Sequence, residues 1–99
     1  MISDEMIHLF KSYLTSEKVV PPPWDQLNER ADETLADITA LAMREKLEKK
    51  RTQGRSGWWD EGQCAIPELR TMLRDHLEKG DMLDVVNLAA MIYVRERMQ

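Results

Sequence analysis

The sequence predicts an all-α protein of about four helices, one of them long. Three observations carry that expectation. Apolar residues recur at three- and four-residue intervals in four segments. Proline and glycine breakers separate those segments. No run alternates polar and apolar residues as a half-buried strand would, and no internal repeat or low-complexity tract is present. With 99 residues, the chain is expected to form a single small helical domain. Its expected parts are an N-terminal helix over 1–16, a Pro-rich connector over 19–24, a long helix over 25–51, a Gly/Trp loop over 52–65 and a helix pair over 66–99.

The first helix opens at Ser3, a good N-cap, with Asp4 and Glu5 in its first turn. Met6, Ile7, Phe10, Tyr13 and Leu14 fall at helical spacing. Val19-Val20-Pro21-Pro22-Pro23 cannot continue a helix, so it stops near Ser16 and a stiff polyproline spacer follows. Asp25 is then expected to cap the long helix. Leu27, Ala31, Leu35, Ile38, Leu41 and Ala42 form its apolar stripe, while Asn28, Asp32, Glu33 and Asp37 face away. Glu45 and Lys49 stand in the favourable i,i+4 order.

No periodicity survives from Thr52 to Ala65, where three glycines flank two adjacent tryptophans, and this stretch is read as a loop. Pro67 suits the first turn of the third helix, which carries Leu69, Met72, Leu73, His76 and Leu77 on one face. Gly80 suits the left-handed C′ position that ends it. Asp81 is expected to cap the fourth helix, with Asp84 completing an acidic version of the capping box. From Met82 to Val94 only Asp84 and Asn87 are polar, so this helix is either central in the core or buried against a partner.

Composition narrows the function classes. With 14 basic against 18 acidic residues the net charge is -4, which argues against direct nucleic-acid binding. The charge is uneven: residues 1–43 carry net -5, residues 44–55 net +4 and residues 56–99 net -3. The lone Cys64 forms no internal disulfide. The first ten residues are acidic where a signal peptide is basic, and no apolar run approaches the roughly 18 residues that span a bilayer. The expected compartment is a reducing cytoplasm, with no membrane association.

Each candidate site competes with a plainer reading. Trp58 and Trp59, flanked by Arg55, suit an aromatic anchor for a partner, since tryptophan dominates binding hot spots. The plainer reading has one ring plugging the gap between the second and third helices while the other stays exposed. The belt of Arg44, Lys46, Lys49, Lys50, Arg51 and Arg55 can grip phosphate, or simply complement the dipole of its own helix end. Asp75, His76, Glu78, Asp81 and Asp84 cluster around one turn and can hold Mg²⁺ or act as an acid–base set. Against that, Asp81 serves as a cap, and a histidine on an apolar stripe is more often a satisfied core residue. Cys64, with only His8 and His76 as possible companions, lacks metal-ligand spacing and reads as a small buried hydrophobe. Asp84 and Asn87 either bond across the core or set a register with a partner helix. Pro21-Pro22-Pro23-Trp24 is a rigid connector, or a ligand for an aromatic groove. No catalytic residue, metal ligand or cofactor is assigned.

Two resemblances add to this. Gly54-Arg55-Ser56-Gly57-Trp58, Cys64, then Leu69, Leu73, His76, Lys79-Gly80-Asp81, Asp84-Val85-Val86-Asn87 and Met91 together resemble a module of small proteins of tailed bacteriophages and prophages. That resemblance covers residues 54–92 and implies a phage or prophage origin without naming an activity. A second likeness is to the MazG-type all-α nucleoside triphosphate pyrophosphatases. Asp81-Met82-Leu83-Asp84-Val85 stands for their E-x-x-D-V motif, and Arg74-Asp75-His76-Leu77-Glu78 for their E-E-x-x-E motif, with arginine in place of the first carboxylate. Only two residues separate Glu78 from Asp81, where that family has a dozen or more.

The functional expectation is a non-catalytic phage or prophage accessory protein that binds and modulates or inhibits a host protein, such as a DNA-processing enzyme. Trp58, Trp59 and Arg55 are its expected contact. The acidic row Asp25, Glu29, Asp32, Glu33 and Asp37 is placed to imitate phosphates in a nucleic-acid channel. The alternatives are a Mg²⁺-dependent pyrophosphatase of the MazG type and a regulator that dimerises through residues 82–94.

Overall fold

Four helices and no strands make up the described residues of a computed structural model: α1 (Asp4–Thr15), α2 (Trp24–Thr52), α3 (Ile66–Lys79) and α4 (Met82–Arg97). The described residues are 4–15 and 23–98, less the side chains of Met6, Phe10, Tyr13, Leu14 and Thr15. The all-α expectation holds. Ser3, Ser16 and connector residues 19–22 lie outside the described residues. By their internal packing the residues fall into two units, Met1–Ala42 and Met43–Gln99.

In the first unit α1 is described as far as Thr15, and the expected stop near Ser16 lies outside the described residues. Its stripe residue Ile7 is about half exposed, and Leu9 is more exposed still. The start of α2 differs from expectation. The Pro23 carbonyl accepts the N–H groups of Gln26 (2.9 Å) and Leu27 (3.1 Å), so Trp24 is already helical and Asp25 lies inside the first turn rather than capping it. Proline has no N–H to leave unsatisfied and its fixed φ suits a helix start, which places the boundary one residue early. Asp25 therefore acts through the helix dipole. No residue of α2 is buried; Leu35 is exposed, while Leu27, Ala31, Ile38 and Ala42 are half-buried.

The second unit begins in the last turns of α2. Arg55 N–H donates to Lys50 O and Gly54 N–H to Arg51 O, the paired bonds that close a helix end through a left-handed residue. The same pair recurs at the end of α3, where Asp81 N–H donates to His76 O (3.0 Å) and Gly80 N–H to Leu77 O (3.2 Å). Gly80 takes φ 80°, as its position in the sequence predicts. α3 begins at Ile66 with Pro67 in its first turn, and it packs on α4.

The core of this unit is Leu69 from α3 with Leu88 and Ile92 from α4. Trp58, Cys64, Leu73 and Met91 pack around it. Trp58 packs against the α3–α4 core, where the deepest apolar surface lies around Leu69. The nearly all-apolar α4 is buried on one face only. Asn87, Leu88, Ile92 and Arg95 turn inward, while Met82, Val86, Tyr93 and Val94 are exposed. Among the described residues no helix is long and apolar enough to cross a membrane.

Candidate functional site

The Gly/Trp loop is irregular but held by a set of turn bonds around Asp60. Asp60 N–H donates to Gly57 O, and the N–H groups of Gln63 and Cys64 both donate to Asp60 O. The Asp60 side chain accepts from Gly62 N–H at 3.0 Å, a short-range turn that aspartate favours. Gly57 is buried at φ 85°, and a Cβ there would stand 3.1 Å from Gln63 Cβ. Any other side chain there is strained by the backbone and requires Gln63 to give by a few tenths of an ångström.

Arg95 ties this loop to α4. Only 4% exposed, it donates from Nη1 to Trp58 O at 2.5 Å and to Cys64 O at 2.7 Å, and from Nη2 to Glu61 Oε2. A planar guanidinium with five donors is the one side chain that can meet several acceptors in a fixed geometry. The sequence reading assigns Arg95 nothing. Its signal is positional: Leu88, Ile92 and Arg95 stand at i, i+4 and i+7 on the buried stripe of α4.

The loop frames a cavity of about 250 Å³ within the second unit. Trp58, Leu69, Leu88 and Met91 give it apolar walls, and Lys50, Arg51, Arg55 and Trp59 also border it. Trp58 is half-buried, whereas Trp59 is 59% exposed. The tryptophan pair thus divides as the plainer reading expects, one ring inward and one outward. Asn87 lines the cavity at 5% exposure, and its Oδ1 is buried with no hydrogen-bond partner. Of the expected contact residues, Arg55, Trp58 and Trp59 meet at this cavity. Asp25, Glu29, Asp32, Glu33 and Asp37 are exposed and belong to the first unit.

At the turn between α3 and α4 the expected cap is absent. Asp81 makes no side-chain cap bond; its carboxylate lies 3.2 Å from His76 Nδ1 instead. The tight turn at Gly80 brings the two together, and a ring nitrogen outcompetes a backbone N–H that solvent can serve. Asp84 does not complete a capping box either. Its carboxylate faces Lys46 Nζ (3.7 Å), Lys50 Nζ (4.0 Å) and His76 Nδ1 (3.6 Å). Part of the basic belt is therefore paired rather than merely solvated, and of the polar stripe on α4 Asp84 reaches across to α2 while the Asn87 amide oxygen finds no partner.

His76, Asp81 and Asp84 bring one ligand atom each within 4.8 Å of one another. One imidazole and two carboxylates, with ammonium groups already facing Asp84, do not match two Mg²⁺ ions on a triphosphate, which need several carboxylates from separate helices. Asp75 and Glu78 are exposed and join no such group among the described residues. Cys64 is half-buried, and burial pushes its thiol above the ordinary 9.0, with Glu68 adding to the rise and Arg95 opposing it. That agrees with an inert packing thiol rather than a nucleophile.

The geometry defines a class: a small helical protein whose second unit holds an apolar cavity, basic at its edge, beside an exposed tryptophan on a clamped loop. Neither a family model, nor a curated protein, nor a solved structure matches the chain.

Proposed function

We propose that the chain is a non-catalytic phage or prophage accessory protein that binds and modulates a host protein, such as a DNA-processing enzyme, through its tryptophan loop. The observation that carries this is Trp59, exposed on a loop that Arg95 and the Asp60 turn hold in place. A large aromatic held rigid before contact loses little entropy on binding, which is the property of a hot-spot residue. The exposed acidic row Asp25, Glu29, Asp32, Glu33 and Asp37 supports a target that ordinarily holds phosphates.

The test is affinity capture from bacterial lysate by the tagged chain, compared with Trp59→Ala and Trp58→Ala. Trp59→Ala should keep the fold and lower the affinity for a captured protein by more than about 2 kcal/mol. Unchanged capture by a folded Trp59→Ala variant overturns the assignment.

Two other readings have one observation each. The approach of Asp81 and Asp84 to His76 is the one feature to set beside a MazG-type pyrophosphatase, and it falls short of the several carboxylates from separate helices that two Mg²⁺ ions need. Absence of Mg²⁺-dependent pyrophosphate release from every common nucleotide disposes of it. The exposed Met82, Val86 and Tyr93 favour a regulator dimerised through α4. A monomer by light scattering at all concentrations disposes of that.

A further inference from the structure

The cavity has a size, a charge and an internal polar group, and together these describe an occupant. Its volume of about 250 Å³ falls below the roughly 300–1,000 Å³ of sites that enclose a drug-sized ligand. One large side chain fills such a space. The cationic groups at its edge are available: Arg51 and Arg55 are exposed, and neither has an ion-pair partner among the described residues. The one acidic residue in the lining, Asp84, is engaged by Lys46, Lys50 and His76. The edge thus offers free positive charge and committed negative charge. Asn87 has an amide oxygen with no partner, and turning the amide about its terminal torsion presents either oxygen or nitrogen to the cavity.

We propose that this cavity seats a single apolar side chain of an acidic peptide segment, with a tryptophan as the anchor and its flanking carboxylates on Arg51 and Arg55. The proposal rests on the reading of the chain as a protein-binding module and names the chemistry of its partner. An indole fills the apolar walls and supplies the N–H that the Asn87 amide lacks. Flanking aspartates or glutamates meet the two arginines in the geometry that guanidinium groups favour. A long nucleic acid is disfavoured, because the chain carries 18 acidic against 14 basic residues and repels an extended polyanion.

The experiment titrates the full chain, labelled with nitrogen-15, with acetyl-Asp-Glu-Trp-Glu-Asp-amide. Controls are the glycine-centred acidic peptide, acetyl-Lys-Arg-Trp-Arg-Lys-amide and dATP. The expected result is saturable shifts at the Asn87 side-chain amide and the Trp58 indole, with binding about tenfold weaker for the glycine-centred peptide. Arg51→Glu with Arg55→Glu, both on exposed positions, should weaken the acidic peptide about tenfold and strengthen the basic one. Three results overturn the proposal: no saturable shift at the cavity, equal binding before and after charge reversal, or dATP binding more tightly than the acidic peptide. The titration needs no host protein. Capture that depends on Trp59 with no peptide binding removes this proposal alone, and peptide binding without any captured protein removes only the host-protein reading.

Discussion

Arg95 and Trp58 stand 37 positions apart in the chain, yet the Arg95 guanidinium donates to the Trp58 carbonyl at 2.5 Å from a position 4% exposed. A second bond to Cys64 O and the pairing with Glu61 make Arg95 the fastening of the loop to α4. The contact positions Trp59 without touching its ring.

Arg95→Met should destabilise the protein by about 2–3 kcal/mol, since it leaves two carbonyls without their charged donor. Arg95→Lys should rescue little, because an ammonium cannot span the three acceptors. Glu61→Gln should cost under about 1 kcal/mol, the Glu61 side chain being 66% exposed. Urea unfolding of the three variants ranks them. Equal losses for Arg95→Met and Glu61→Gln would show that the ion pair, not the carbonyl bonds, holds the loop.

Asn87→Leu replaces a buried amide, its oxygen without a partner, by an apolar group of similar size. Stability should rise by about 1 kcal/mol, which moves Tm upward by roughly 4–8 °C in a chain of this size. Thermal unfolding by circular dichroism measures it. The same variant should bind the tryptophan-centred acidic peptide less tightly, separating the amide's cost in folding from its use in binding.

Gly57→Ala and Gly80→Ala share a strained backbone but not the same surroundings. Both glycines have φ near 80–85°, whereas a Cβ meets Gln63 at 3.1 Å only at Gly57. Gly80→Ala should cost about 1–2 kcal/mol from backbone conformation alone. Gly57→Ala should cost more and should alter the Trp58 fluorescence, as Gln63 must shift. A smaller loss at Gly57 in chemical denaturation contradicts this.

Burial raises the Cys64 thiol above 9.0 in the folded chain. The unfolded chain therefore loses this proton first as pH rises. Stability linked to the thiol is fully present below the unfolded pKa and is lost as pH climbs through the higher folded value. Cys64→Ala should flatten the decline of stability above pH 9 relative to the parent. At pH 8 the native thiol should react with a disulfide reagent far more slowly than in urea. Equal rates in the two conditions contradict the burial.

Local chemistry makes much of the fold legible. Gly80 ends α3 and Pro67 opens it because each acts on its own backbone, and neither effect needs a distant partner. The boundary at Trp24 is missed by one residue because a proline carbonyl and an aspartate side chain both serve as helix starts, and the choice between them is worth little energy. At Asp81 the sequence offers a cap, but the turn it helps to form carries His76 within reach. A reader of the sequence sees the carboxylate and not its competitor.

The candidate site divides along the same line. That Arg55, Trp58 and Trp59 belong together follows from their adjacency, since a five-residue stretch cannot separate them. Which ring turns inward is another matter. So are the face that α4 buries, the oxygen that Asn87 leaves without a partner, and the carbonyls that Arg95 reaches. Apolar attraction has no direction of its own. Where an element is apolar on nearly every side, its buried face is set by the shape of what packs against it, from residues 20 to 40 positions away in the chain. Helix class and order come from neighbours along the chain; the cavity exists only once α3, α4 and the loop have met.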